Sequence, residues 1–397
     1  MKIVVASDSF KGSMTSIEVA HSAREGILQV YPDAEVVCVN VADGGEGTVE
    51  AVVDALAGEI VEVTVSNPLM QPIIAHYGIA GDTAIIEMAA ASGLPLLTPE
   101  QRNPWLTSTF GTGEMIMDAI HRGCRRFLVG IGGSATNDAG TGMLQALGFR
   151  FYDDNNHLIQ HCTGGRMADI ARIDDSAVPP AVREATFTVA CDVDTPFCGL
   201  EGAAPIFAPQ KGADPEMVMR LDYAMASLAQ VIQQHYRVNI VPIPGAGAAG
   251  GMGGAFYACL HASLKKGIDM VLDAIHFDTI IQGADLVITG EGKVDSQTAK
   301  GKTAAGVLAR AKKQHIPVIA IGGCVEISES VTKMGFAGIY PILEEKVPLE
   351  VAMQREFAMN NVTKTIKRLV KEKDLLITQQ LPSRRSHNMQ TISFSHN

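Results

Sequence analysis

Short apolar runs stand at both ends of this chain: KIVVA and EVVCVNVA near the amino end, then DLVIT and IPVIAIGG beyond residue 284. Runs of this length, rich in Val and Ile and almost unbroken by charge, suit strands buried on both faces. Such strands belong to parallel sheets covered by helices. The intervening segments carry helix signals. After KIVVA a helix is expected from about Thr15, where Thr15 and Glu18 have the S/T-x-x-E spacing of a capping box, and YPD stops it. After EVVCVNVA the loop DGGEG leads into TVEAVVDALAG, a second helix with Gly58 expected as its left-handed cap. Strand–helix alternation at both ends predicts an α/β fold in which both chain ends, residues 1–61 and 279–380, build one doubly wound, mostly parallel Rossmann-like sheet domain.

Between them the texture changes. The stretch VEVTVSNPLMQPIIAHYGIAGDTAIIEM alternates in short runs with turn signals at NP and GD, the mark of hairpins within a sheet. RRFLVGI and ATFTVA read as further strands, with helices expected after STFGTGE and from about Asn137. A second α/β domain, residues 62–278, is therefore expected as an insertion, since 397 residues exceed one ordinary core. The final stretch, 381–397, is poor in apolar residues and is expected to be a flexible tail.

The charge balance narrows the function classes. With a net charge of -11 the chain lacks the clustered Lys and Arg of a nucleic-acid groove. Val238–Leu264 holds no Asp, Glu, Lys or Arg, but Pro242, Pro244 and the glycines of 245–254 interrupt it, so it does not read as a membrane span. The amino end lacks a signal-peptide core, and the seven cysteines form no C-x-x-C pair; both fit a reduced, cytoplasmic protein. His157, His161 and Cys162 in HLIQHC read as a polar loop rather than a metal site.

Ligands of open α/β sheets bind beyond the carboxyl ends of the strands, so chemistry should gather in the loop just past each strand. Asp8, Lys11 and Ser13 come after KIVVA; Asp43, Gly44, Gly45 and Glu46 come after EVVCVNVA; Glu87 ends DTAIIE. Gly132, Gly133, Ser134, Thr136, Asn137 and Asp138 come after RRFLVGI, Asp192 and Asp194 after ATFTVA, and Glu291 and Asp295 after DLVIT. A solvated surface would scatter such charges along helices. Glycine loops such as GIGGSATNDAGTGM and GAGAAGGMGG let backbone N–H groups approach a phosphate, although tight turns need glycine as well.

Two standard motifs fall short. SQTAKGKT has Ser296 where a P-loop needs its first glycine. GAGAAG satisfies G-x-G-x-x-G, with VNIVPI as a candidate strand before it, but Asp269 does not end a second strand as a ribose-binding acid would. An NAD(P)-dependent oxidoreductase and a non-catalytic nucleotide- or phosphate-binding module remain the rival classes. Phosphoryl transfer needs lysines for the phosphates, carboxylates for Mg²⁺ and one carboxylate to take a proton. Lys11, Lys211, Lys293 and Lys300 all read as loop residues available for that task.

In order along the chain, DSFKGS, ADGGEGT, IEMAAASGL, GTGE, GIGGSATND, VACDVDTP, PQKGA, PGAGAAGGMG and VITGEGKVDSQTAKGK together resemble the bacterial glycerate kinases that make 2-phosphoglycerate. The likeness runs to about residue 325; Ala208, Lys293 and GGCVE depart from the familiar pattern, and the tail after 380 has no counterpart in it. The resemblance implies ATP-dependent phosphorylation of D-glycerate, with Mg²⁺, in a cleft between two α/β domains. A glycerate 3-kinase or another small hydroxy-acid kinase is the alternative within that class. On this footing Asp192 is expected as the base, with Asp43 second. Lys11 and Ser13 are expected near the transferred phosphate or the substrate carboxylate. Gly44, Gly45, Glu46, Gly132, Gly133, Ser134, Thr136, Asn137, Lys211 and Lys293 are expected to bind substrate or phosphate, and Glu291 and Asp295 the metal. Capping of the helix that follows is the plain alternative for Glu291 and Asp295, and turn formation near Pro196 the alternative for Asp194. A homodimer is compatible with this reading, and small molecules, D-glycerate and ATP, are the expected partners.

Overall fold

The computed structural model describes residues 1–372 apart from 46, 344 and 346; Glu46, the side chain of Lys300 and the tail 381–397 lie outside the described residues. Strands β1 (Lys2–Ser7) and β2 (Glu35–Asn40) come from the amino end. The middle supplies β3 (Glu59–Ser66), β4 (Pro72–Ala80), β5 (Thr83–Glu87), β6 (Arg126–Gly130), β7 (Arg150–Tyr152), β8 (Arg172–Asp174), β9 (Thr186–Ala190) and β10 (Ser263–Lys265). β11 (Leu286–Val294), β12 (Val318–Val325) and β13 (Gly338–Pro341) come last. The chain divides into two compact units, Met1–Asn40 with Asp278 onward, and Val41–Phe277.

The first unit is built on a sheet of order β13-β12-β11-β1-β2, parallel at every pairing. Both ends of the chain thus share one sheet, as their apolar runs predicted. Ile3, Val4, Val5 and Ala6 of β1 are all 0% exposed, so this strand is covered on both faces. Ile3, Val5, Ile288 and Ile319 pack with Val19, Ala23 and Ile27 of the helix Ser16–Leu28 and with Val362 and Ile366 of the helix Arg355–Glu372. The capping box forms: Thr15 Oγ1 accepts from the Glu18 N–H at 3.3 Å while Glu18 Oε2 accepts from the Thr15 N–H at 2.8 Å. Thr15→Ala should therefore cost about 1 kcal/mol, read as a lower urea midpoint at unchanged slope.

β11 is longer than DLVIT suggests. Glu291 and Lys293 lie within the strand, opposite Gly322 and Cys324, because β12 continues to offer partners after the pairing with β1 ends at Ile288.

The second unit holds a six-stranded sheet of order β10-β9-β6-β5-β4-β3 and the small β7-β8 pair. β3, β4 and β5 form the expected antiparallel hairpins, whereas β5, β6, β9 and β10 run parallel. The expected boundary at 61/62 moves to 40/41. The reason is the helix Thr48–Ala55, whose Val49, Val52 and Val53 pack on Ile85, Ala190, Met270 and Val271 of this unit. Gly58 is not the left-handed cap. Ala57 takes that conformation at φ 51°, and Gly58 is required because a Cβ there would lie 2.4 Å from the Ile79 carbonyl oxygen.

Two helices start elsewhere than expected, at Phe110 and at Thr141, and the buried Asp138 accounts for both. One carboxylate oxygen, Oδ2, accepts from the N–H and hydroxyl of Thr109, each at 2.8 Å, and from the Gly142 N–H at 3.2 Å. Oδ1 accepts from the Gly140 N–H at 3.1 Å. One side chain thereby serves the first turns of both helices. Among the described residues no helix is long and apolar enough to cross a membrane.

Candidate active site

In the sheet of the second unit Glu87, Gly130 and Ala190 lie in register, so the loops after β5, β6 and β9 leave along one edge. A cavity of about 340 Å³ opens beside them, a size suited to a small ligand. It gathers Asp43, Gly44, Gly45, Gly132, Gly133, Ser134, Asp192 and Lys211, eight of the residues singled out from sequence. Leu94, Ile131, Val193 and Phe207 complete its walls with apolar surface.

Asp192 is held at one oxygen: Oδ1 accepts from the Gly267 N–H at 3.0 Å. That N–H belongs to the first residue of the helix Gly267–Ala274, one of the donors a helix start leaves without an internal partner. Although Asp192 keeps solvent access, the protein crowding its carboxyl raises its pKa; Gly267 opposes this, Asp43 and Asp269 add to it, and Lys266 counters them. Asp43 lies against the same helix start, where a Cβ on Gly267 would fall 1.8 Å from the Asp43 carbonyl oxygen. One backbone position thus holds the Asp192 carboxylate and packs against the main chain of Asp43.

Lys211 sits in a 3-10 turn, Pro209–Lys211, and is only 1% exposed, not the open loop lysine that the sequence predicted. Its Nζ donates to Ser134 Oγ at 2.7 Å and to the Thr136 carbonyl oxygen at 2.6 Å. Burial pushes its pKa down to about 7, against the attraction of Asp138. Thr136 and Asn137 do not line the cavity; both are fully buried behind its wall. Asn137 Nδ2 donates to Met225 Sδ at 3.2 Å, while Thr136 Oγ1 and Asn137 Oδ1 find no hydrogen-bond partner among the described residues.

Lys11, Ser13, Glu291, Lys293 and Asp295 belong to the first unit. Lys11 is exposed, and Ser13 Oγ is buried with no hydrogen-bond partner among the described residues. Glu291 is buried; Thr298 Oγ1 donates to its Oε1 at 2.5 Å, and Lys302 Nζ lies 4.0 Å from its Oε2. Burial, with the charges of Asp8 and Asp295, pushes its pKa up to about 7 against Thr298 and Lys302. Asp8 is likewise buried, its Oδ2 accepting from the Thr303 hydroxyl at 2.9 Å.

Asp295 behaves differently. Its Oδ1 accepts from the Gln297 N–H at 2.8 Å and its Oδ2 pairs with Lys293 at 3.3 Å, which together hold its carboxyl below the usual range. Lys293 is shared with Glu326 at 2.9 Å, so two neighbouring carboxylates already answer its charge. Two buried like charges fit a cation between them; a turn-forming carboxylate already paired with lysine fits it less well. Asp8 with Glu291 is thus the better-suited pair. Among the described residues no three His, Cys, Asp or Glu side chains converge on one point. Such a pair suits Mg²⁺, which takes one or two carboxylates and completes its shell with water and phosphate oxygens.

Sequence reasoning had only the strand-end position to mark Asp8 and Asp138, and nothing to mark Gly267 or Thr298. The G-x-G-x-x-G stretch loses its premise in the structure: residues 238–247 form no strand, and Ala249, Gly250 and Gly251 interrupt the next helix with left-handed backbone. This removes the support for nicotinamide binding.

The model of the glycerate kinase family matches residues 3–372. A glycerate kinase of Bacillus cereus is 45% identical over 93% of this chain and 97% of its own length. The glycerate 2-kinase of Escherichia coli K12 is 43% identical over 92% of this chain and 98% of its own. A crystal structure from Salmonella typhimurium LT2, assigned to glycerate kinase 2, superposes with a TM-score of 0.86 at 43% identity, covering 96% of this chain and 100% of that one. These agreements in sequence and fold make the chain an enzyme, a kinase with a nucleotide as phosphoryl donor, and a member of the glycerate kinase family.

Proposed function

We infer that this enzyme transfers the terminal phosphoryl group of ATP to the 2-hydroxyl of D-glycerate, giving 2-phosphoglycerate and ADP. The observation that carries the reading is the cavity in which Asp192 and Asp43 share the walls with Ser134 and Lys211, in a chain whose Escherichia coli relative is a glycerate 2-kinase. The acceptor hydroxyl donates to the Asp192 oxygen that Gly267 leaves open. As the new oxygen–phosphorus bond forms, its proton passes to that oxygen; the bond from phosphorus to the bridging oxygen breaks and its electron pair leaves with ADP. A carboxylate with raised proton affinity suits this task better than an ordinary one. Gly44, Gly45, Gly132 and Gly133 bring backbone close to the bound anion, and Leu94, Ile131 and Phe207 add apolar wall.

In the first unit Asp8 and Glu291 would hold Mg²⁺, whose charge offsets that of the nucleotide phosphates. Exposed Lys11 adds positive charge for the same phosphates. Lys293, between Asp295 and Glu326, serves this purpose only by leaving one of them.

The test supplies D-glycerate, ATP and Mg²⁺ with enolase as the single coupling enzyme. Enolase consumes 2-phosphoglycerate and ignores the 3-isomer, so phosphoenolpyruvate should accumulate at the rate of ADP formation. ADP without phosphoenolpyruvate would move the reaction to the other hydroxyl. Absence of both, with folded protein, would overturn the reading.

A further inference from the structure

The geometry points to Lys211, acting through the hydroxyl of Ser134, as the device that selects acceptors carrying a carboxylate beside their hydroxyl. The inference rests on the reading of the cavity as the acceptor site and adds which end of the acceptor goes where. Lys211 Nζ occupies the Ser134 oxygen as acceptor, at 2.7 Å, which leaves the serine's own proton to be donated elsewhere. Ser134 is 8% exposed and Lys211 1%, so the serine meets the ligand and the ammonium stands behind it. Lys211 is thus a positioning residue, and Ser134 is the contact.

Charge decides what the cavity accepts. Lys211 is the only Lys or Arg among the described residues lining it, and Asp43 and Asp192 line it too. A triphosphate would bring several negative charges to a wall that already holds two. A monocarboxylate brings one, matched by one lysine. Both hydrogen bonds of the ammonium go to uncharged oxygens, so burying it is costly until an anion arrives. The carboxylate therefore belongs at Ser134, which leaves the hydroxyl for Asp192.

The same arrangement makes binding depend on pH. Burial sets the Lys211 pKa at about 7, so its charge in the empty site is lost as pH rises through that value. Affinity for a carboxylate acceptor should fall with it. Asp138 is the charged group that acts on this lysine from behind, and Asp43, Asp192 and Cys191 are the other titratable groups of the cavity walls.

The test compares D-glycerate with its neutral amide, 2,3-dihydroxypropanamide, in the wild type, Lys211→Met and Ser134→Ala. Loss of a charge-assisted hydrogen bond should raise the KM for D-glycerate about ten- to a hundredfold. The accompanying fall in kcat should be under about threefold, with the KM for ATP essentially unmoved in both variants and the KM for the amide essentially unmoved in Lys211→Met. In the wild type, KM for D-glycerate alone should climb above pH 7. Equal rises for ATP and D-glycerate, or an unchanged KM for D-glycerate in Lys211→Met, would overturn the inference while leaving the kinase reading intact. If Lys211→Met does not fold, Ser134→Ala and the wild-type pH series decide by the same criteria. If the wild type turns over no D-glycerate, the function proposed above fails on its own; calorimetric binding of the acid against the amide then tests the carboxylate site separately.

Discussion

Asp192→Asn is expected to lower turnover of D-glycerate by about a hundred- to ten-thousandfold, the usual worth of a positioned base, while nucleotide affinity stays within about twofold. Asparagine nearly matches aspartate in shape, and its carbonyl oxygen can still accept the Gly267 N–H, so the helix start remains served. What it cannot do is take the proton. Steady-state kinetics with D-glycerate and equilibrium binding of ATP separate the two effects. Asp43→Asn gives the matching control. The Asp43 charge is one cause of the raised Asp192 pKa, so its removal should let Asp192 ionise at lower pH and carry the acidic limb of the kcat profile down with it. A surviving Asp192→Asn enzyme beside a dead Asp43→Asn enzyme would exchange the two roles.

Asp138→Ala should be the most damaging single change to stability away from the reacting groups. It removes the acceptor for the Thr109, Gly140 and Gly142 N–H groups and the Thr109 hydroxyl, all beside a fully buried carboxyl that water does not reach. Leaving several such donors unmet costs on the order of 3–5 kcal/mol, a large share of the roughly 5–15 kcal/mol that holds a native domain together. Urea unfolding should show the loss directly, with Asp138→Asn intermediate because one oxygen survives. A cost below about 1 kcal/mol would mean that the two helix starts do not depend on this carboxylate.

The sheet was legible in the sequence because KIVVA and DLVIT are buried on both faces, and an apolar run needs no partner to announce that. The same logic brought Ser134 and Asp192 together, since the parallel strands β6 and β9 deliver their loops to one edge. The allegiance of Thr48–Ala55 was not legible. An amphipathic helix shows that it has a buried face, but the contact of Val49, Val52 and Val53 with Ile85 and Met270 is a tertiary fact. Nor could sequence separate Ser134 from its neighbours Thr136 and Asn137. The loop has no repeating period, and left-handed residues at Gly133 and Ala139 set which side chains turn inward. Asp8 and Asp295 pose the same problem: both lie just past strands, and only their partners distinguish a buried carboxylate beside Glu291 from a turn residue tied to Lys293.

The start of the helix Gly267–Ala274 bears on how this catalyst can be redesigned. Its first N–H steadies Asp192, and its missing side chain is what lets Asp43 come close. A variant with a new acceptor has free choices at Leu94, Val193 and Phe207, where the walls are apolar and hold no proton. At Gly267 it has none: adding one carbon pushes on the main chain of Asp43 and Gly44 while shifting the amide that fixes Asp192. The least functional-looking residue of the site is its fixed point, and new specificities have to be built around it.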